Sequence, residues 1–248
     1  MRVLIAPVAM LLAAATLAAQ APRKFPPDSL VNTKVIPHQT PPIQVIGIMR
    51  NFATGLGVRC QYCHVGEEGK PLETFDFVTD EKRNKLVARQ MMRMVQEINQ
   101  RLDTIPQRPA AQVQVTCVTC HRGVSRPVPL FDVVHDATVA AGADSAIRLY
   151  RSLRDRYYGR DAYDFSESAL NIAAFRVGRD KKFDDALALL RLNEELYPNS
   201  SGMYVFRGNI LLMKGDTTAA ASAFREAVRR DTTNAEARGR LRAIGRAL

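Results

Sequence analysis

The residues best suited to chemistry in this chain are its four cysteines, which occur as two copies of the pattern C-x-x-C-H. The copies are CQYCH at residues 60–64 and CVTCH at residues 117–121. Two thiols three residues apart can each add to a vinyl group on one edge of a porphyrin, and the imidazole that follows can bind the iron. The pattern predicts two covalent c-type haems. Their predicted attachment points are Cys60, Cys63, Cys117 and Cys120, and their predicted proximal ligands are His64 and His121.

Zinc binding and disulfide formation are the alternatives for these cysteines. The second pair begins 57 residues after the first, whereas the pairs of a zinc ribbon are about 15–20 residues apart. A thioredoxin-type C-x-x-C does not need a histidine after it, and a structural disulfide within so short a loop would be strained. Haem attachment accounts for the histidine in both copies, so it is the favoured interpretation.

A haem iron held by one histidine needs a second protein ligand or an open coordination position. Before the first motif, residues 42–57 carry apolar side chains at spacings of three and four, which predicts a helix with one apolar face. Gly55 and Gly57 predict the end of this helix. The face consists of Ile43, Ile46, Met49, Phe52 and Leu56. Met49 is therefore a candidate distal ligand of the first haem.

A second, longer helix is predicted before the second motif. Asp80 is a candidate cap, and some two dozen residues without Gly or Pro follow it. One face consists of Val87, Met91, Met94, Ile98 and Leu102. Met92 lies about 100° away from that face. Methionine on such a stripe more often fills a core than binds a metal, so periodicity alone leaves Met91 and Met94 as candidates.

Three stretches carry a resemblance to a known family. MRNFATGLGVRCQYCH, ARQMMRMVQEIN and VTCVTCHRG together resemble the cytochrome subunit of photosynthetic reaction centres, over roughly residues 40–130. The resemblance implies haem units that each consist of a helix, a turn and a C-x-x-C-H motif. It implies Met49, eleven residues before Cys60, as one distal ligand, and Met91 as the other, with Met94 in reserve.

The chain also departs from that family. The family's cytochrome has four haem sites, and one of its irons takes a histidine from the stretch before a haem motif. Residues 100–116 contain no histidine here. The comparison therefore implies a protein with two haems.

The N-terminus predicts export. Arg2 is followed by a charge-free run of 17 residues from Val3 to Ala19, and Ala19 and Ala21 form an A-x-A pattern. Residues 1–21 are thus predicted to be a signal peptide, so the mature protein is expected to be periplasmic. The alternative is that these residues stay attached as a membrane anchor. The net charge of +10 raises the question of nucleic-acid binding. Because acidic and basic residues are interleaved and no tract of Lys and Arg stands out, no nucleic-acid partner is expected.

Residues 136–248 show a 34-residue repeat. Ala186, Leu190, Asn193 and Pro198 recur as Ala220, Phe224, Ala227 and Thr232. This spacing resembles tetratricopeptide repeats, whose paired helices stack into an array. Residues 146–158 are interpreted as a divergent helix of the same kind, and residues 234–248 as a capping helix. Such an array can offer a groove to a protein segment or serve only as a structural appendage.

The sequence therefore predicts a mainly α protein, with a dihaem cytochrome domain at residues 22–135 and a TPR-like helical domain at 136–248. The leading function is one-electron transfer without enzymatic activity, between a redox donor and acceptor that dock through the repeats or belong to a membrane-bound complex. One alternative is a dihaem peroxidase-like enzyme with an open haem. His38 and His135 are the unassigned histidines, and each is better explained as surface or core than as catalytic. Another alternative is a repeat scaffold whose haems are structural or sensory.

Overall fold

The computed structural model describes residues 24–107 and 113–247. Within them the fold is mainly α, as predicted, with nine α-helices and no β-strand; one isolated bridge pairs Val65 with Asp76. The helices are α1 (Pro42–Leu56), α2 (Arg83–Asp103), α3 (Cys117–His121), α4 (Leu130–Tyr157), α5 (Glu167–Arg179), α6 (Phe183–Leu196), α7 (Gly202–Lys214), α8 (Thr217–Arg230) and α9 (Ala235–Ala243).

The predicted signal peptide and its alternative, an uncleaved membrane anchor, both concern the N-terminus. The predicted signal peptide, residues 1–21, lies outside the described residues. In the part of the chain that is described, every helix is too short or too polar to cross a membrane.

The chain divides into two compact units. The first consists of Met1–Arg50 and Arg59–Arg108, and the second of Asn51–Val58 and Pro109–Leu248. The first motif and α2 belong to the first unit, while α3 to α9 belong to the second.

The helices before the two motifs form where the apolar spacing predicts them. Helix α1 ends at Leu56, and Gly57 follows with a left-handed φ of 65° that suits glycine. Helix α2 begins at Arg83 with Lys82 as its N-cap, so the expectation that Asp80 caps it is wrong. The Asp80 carboxylate is instead bound to Asn32, Lys85 and Arg89.

The second unit contains the apolar core. Helix α4 is broken at Ala141 and Gly142, and Gly142 has a φ of 77°. The new helical segment starts at Ala143, whose amide donates to Asp185 at 3.1 Å. Leu130 and Val134, before the break, are buried in the same core as the helices that follow.

Helices α5 to α8 form two consecutive pairs. Helix α6 begins at Phe183 and α8 at Thr217, which reproduces the 34-residue spacing of the sequence. Ala186, Leu190, Ala220 and Phe224 are all fully buried. The tail helix α9 begins as predicted after Asn234, whose side chain accepts a hydrogen bond from the Ala237 amide. The helix pairs are thus confirmed, while their assignment to the tetratricopeptide class stays a prediction.

Candidate functional site

The first cysteine motif is folded as a single tight turn. Residues Cys60–Tyr62 form a 3₁₀ turn. The amides of Cys63 and His64 both donate hydrogen bonds to the Cys60 carbonyl, at 3.2 and 2.9 Å. Asn84, near the start of α2, donates from its amide nitrogen to the Tyr62 carbonyl at 3.1 Å. Two thiols and an imidazole are therefore presented by five consecutive residues.

His64 is held in an apolar setting. Its ring packs edge-on against Phe77, with centroids 4.9 Å apart, and its Nδ1 is buried without a hydrogen-bond partner among the described residues. Burial, together with the positive charges of Lys85 and Arg89, lowers the pKa of His64 to about 4 against a smaller opposing effect of Asp76. The imidazole is thus neutral at physiological pH, the form that binds a metal.

The second motif forms the short helix α3. Thr119 Oγ1 accepts a hydrogen bond from the Thr116 amide at 3.0 Å at its start, and Arg122 ends it in the left-handed region with a φ of 49°. His121 Nδ1 lies 2.9 Å from the carbonyl oxygen of Val124. Because a carbonyl can only accept, Nδ1 carries the proton, and in the neutral imidazole the lone pair is on Nε2. This is the usual arrangement of a metal-binding histidine.

Glycines before and after the motifs make a close contact that sequence reasoning missed. The Gly123 amide donates to the Gly55 carbonyl at 2.9 Å. A Cβ at Gly57 would collide with the Gly123 carbonyl oxygen, and one at Gly55 would lie 3.2 Å from the Val118 amide nitrogen. The sequence suggested these glycines only as a helix stop, because the approach of two backbones 66 residues apart has no local signature.

None of the four cysteines, which all lie within the described residues, is paired with another in a disulfide. Cys60 and Cys120 are exposed, and Cys63 and Cys117 are half-buried. Burial raises the pKa of the Cys63 and Cys117 thiols. Thioether formation consumes reduced thiols, so the sulfur chemistry fits covalent haem attachment.

The predicted methionine ligands lie on helices with little protein cover. Met49 is half-buried on α1, whereas Met91 and Met94 on α2 are 38% and 42% exposed. No residue of α2 is buried. Among the described residues of the first unit, Phe75 is the one buried apolar side chain. The other described apolar side chains of this unit thus have little protein cover and could pack against a large apolar group. Ligation by Met49 and Met91 stays a prediction.

The two remaining histidines lie apart from the motifs in sequence. His38 is 3.4 Å from the Thr33 hydroxyl. His135 Nε2 donates to Asp180 at 2.7 Å, joining α4 to the residue after α5. Within the described residues, no group of three or more His, Cys, Asp or Glu side chains is arranged to bind a metal ion by itself.

Comparison with known proteins gives one family. The model of the photosynthetic reaction centre cytochrome c subunit matches residues 58–146, just over a third of the chain. The matched segment contains both C-x-x-C-H motifs and α2, and it begins after Met49. No curated protein matches the chain. The matched segment is similar to a cytochrome c domain, a kind of domain that usually carries electrons rather than catalysing a reaction.

Proposed function

We propose that this chain is an exported c-type cytochrome that holds two covalent haems and passes single electrons between redox partners. The observation that carries the proposal is that both C-x-x-C-H motifs lie inside the segment that matches the reaction centre cytochrome family. Each motif is also folded with its histidine in a form suited to a metal. His64 is neutral through burial and nearby cations, and the ring of His121 is oriented by its hydrogen bond to the Val124 carbonyl.

The residues of the chain have distinct tasks in this proposal. The thiols of Cys60 and Cys63 hold one haem, and those of Cys117 and Cys120 hold the other. His64 and His121 would each bind the iron of one haem through an imidazole nitrogen. Bound haem supplies a one-electron ferric/ferrous couple, whose potential is raised by a methionine opposite the histidine.

Distal ligation is assigned to Met49 and Met91, with Met94 in reserve. This assignment is supported by the position of each methionine in its helix and by the resemblance to the family. The side chains of α1 and α2 would then exclude water from a group that covers their apolar faces. Burial of those faces is favourable by about 25 cal/mol for each Å² removed from water.

The helical pairs α5–α6 and α7–α8 are proposed to form a tetratricopeptide-like array that docks a redox partner. The 34-residue spacing of α6 and α8 supports this. Export is supported by the charge-free run from Val3 to Ala19 and by the extracytoplasmic location typical of cytochromes c. The donor and acceptor are proposed to be redox proteins, with a membrane-bound complex as one form of partner.

A haem count on the full-length protein tests the proposal. The pyridine haemochrome assay should give two haems per chain, and the oxidised spectrum should be low-spin with the weak long-wavelength band of methionine-ligated ferric haem. Two matched variants, C60S/C63S and C117S/C120S, should each retain one haem.

Three results would contradict the proposal. Absence of covalent haem would overturn it altogether, and retention of both haems in either cysteine variant would overturn the attachment sites. A high-spin component that binds and turns over peroxide would favour the enzymatic alternative.

A further inference from the structure

A half-buried polar cluster, formed by α2 and residues outside it, lies beside the first motif. It consists of Asn32, Asp80, Lys85 and Arg89. Arg89 donates to Asp80 at 2.8 Å and to the Asn32 carbonyl at 2.9 Å. Asn32 donates from its side chain to Asp80 at 2.8 Å. The cluster joins the first turns of α2 and the residue Asp80 just before it to Asn32, which lies 48 residues before Asp80.

Lys85 is held more tightly than an ordinary surface lysine. Its ammonium group donates to the carbonyls of Phe77, Val78 and Thr79 at 3.0, 3.0 and 2.8 Å, and it lies 3.1 Å from Asp80. The side chains of Lys85 and Arg89 are 11% and 13% exposed. Two positive charges are therefore fixed in position and largely withdrawn from solvent.

These contacts connect the charges to His64. Phe77, whose carbonyl binds Lys85, packs its ring against the His64 imidazole. Asn84, the neighbour of Lys85, binds the carbonyl of Tyr62, two residues before His64. Helix α2 thus places its cations against the loop that forms the wall of the His64 site.

Two cations, Lys85 and Arg89, and two anions, Asp80 and Asp76, lie in this region, but they act unequally on His64. The charges of Lys85 and Arg89 each act on it more strongly than that of Asp76. Asp76 is the anion whose charge acts on His64 in the opposite direction, and its carboxylate accepts hydrogen bonds from the amides of Val78 and Thr79. Reduction of ferric to ferrous iron by one electron from a redox protein lowers the positive charge at the site by one unit. Nearby fixed cations favour that change, and a low-dielectric surrounding strengthens their effect.

We propose, on the basis of the function proposed above, that Lys85 and Arg89 raise the reduction potential of the haem held by Cys60, Cys63 and His64. They act through the field at the iron and are positioning residues, since neither is assigned as a ligand. Asp80 and Asn32 keep the two cations in place.

Charge-removing variants of the full-length haem protein test this inference by spectroelectrochemical titration. In Lys85→Gln and in Arg89→Gln, one of the two potentials should fall while the other stays. At a fixed applied potential, the ferrous to ferric ratio of that haem should drop on the order of tenfold. For a one-electron couple, tenfold corresponds to about 59 mV.

Three further variants separate charge from structure. Arg83→Gln removes an exposed cation from the same helix and should leave both potentials unchanged. Lys85→Arg keeps the charge and should keep the potential, even if it disturbs the carbonyl contacts. Asp76→Asn removes an anion and should raise the same potential that the other variants lower.

The outcomes distinguish this inference from the proposed function. Two haems with potentials that do not respond to Lys85→Gln or Arg89→Gln would overturn the inference and leave the cytochrome assignment intact. An equal shift of both potentials, or a fall in Asp76→Asn, would overturn it as well. A protein without covalent haem would overturn both.

Discussion

His64 and His121 hold the same place in their motifs, but their imidazoles have different surroundings. His121 donates from Nδ1 to a backbone carbonyl, which makes Nε2 more basic and fixes the ring. His64 has Phe77 at its ring and cations nearby. A more basic ligand favours ferric iron and nearby cations favour ferrous iron. Two haems bound at these residues would thus be driven towards different potentials.

Methionine ligation is tested by truncating each candidate. Met49→Ala and Met91→Ala should each convert one haem to a high-spin or water-ligated form and lower its potential, because the thioether stabilises ferrous iron. Optical spectra and redox titration measure both effects. Met92→Ala is the matched control on α2 and should change neither. Normal low-spin spectra in Met91→Ala with a change in Met94→Ala would move the ligand to the reserve position.

The His135–Asp180 pair predicts a pH-dependent stability. Burial lowers the pKa of His135, but hydrogen bonds to Asp180 and Asp136 outweigh this and raise it. The fold therefore stabilises protonated His135. This contribution is complete below the unfolded-state pKa of about 6.5 and is lost as the pH rises through the higher folded-state value.

Replacement of His135 measures this contribution. Urea unfolding should show His135→Gln less stable than the parent by up to about 1 kcal/mol at acidic pH. The difference should shrink as the pH rises above the folded-state pKa. A constant difference across the pH range would show that packing, and not charge, accounts for it.

Helices were more predictable than the contacts that connect them. The apolar spacing located α1 and α2, and the 34-residue repeat located α6 and α8, because periodicity is a local property of the chain. Asp80 was misinterpreted as a helix cap because its partners include Asn32, 48 residues away. Lys85 and Arg89 have no local signature either, because Lys85 binds backbone carbonyls of the preceding loop and Arg89 binds the carbonyl of Asn32.

Close packing between repeat helices predicts an asymmetry between two glycines. A Cβ at Gly208 on α7 would collide with the Phe224 ring on α8, whereas a Cβ at Gly239 on α9 meets nothing within 4 Å. Gly208→Ala should destabilise the protein by about 1–3 kcal/mol in urea unfolding. Gly239→Ala, the matched control, should be neutral or stabilising by up to about 1 kcal/mol. Equal effects of the two substitutions would refute this packing of α7 on α8.

The two units differ in what holds them together. The buried apolar side chains of the second unit form a continuous cluster from α4 to α9. The described part of the first unit has Phe75 as its one buried apolar side chain. A unit of this kind gains little stability from its own core, so bound haem is expected to supply much of it.

Hydrogen exchange of the C60S/C63S variant tests this dependence. The amides of α2 should exchange much faster than in the parent protein, while those of α5 to α8 should keep their protection. The C117S/C120S variant is the comparison and should leave α5 to α8 protected as well. Unchanged protection of α2 in C60S/C63S would show that the first unit is stable without its haem.

The part of the candidate site that could be predicted is the part in which haem attachment dictates the spacing of residues along the chain. Thioether attachment requires both cysteines and the histidine within five residues, so the motif is complete in the sequence. The field around each iron depends on side chains from several segments, such as Lys85 and Val124. The contribution of such residues is visible only in the three-dimensional structure, which brings them close to the histidines.

Helix α4 has a consequence for how such a protein could arise or be re-engineered. The segment that matches the cytochrome family ends at residue 146, yet the core of the helical array already includes Leu130 and Val134. A gene fusion or recombination joint within α4 would thus separate the array from some of its core side chains, or would cut off the end of the matched segment. We therefore expect a viable crossover to lie outside Leu130–Tyr157.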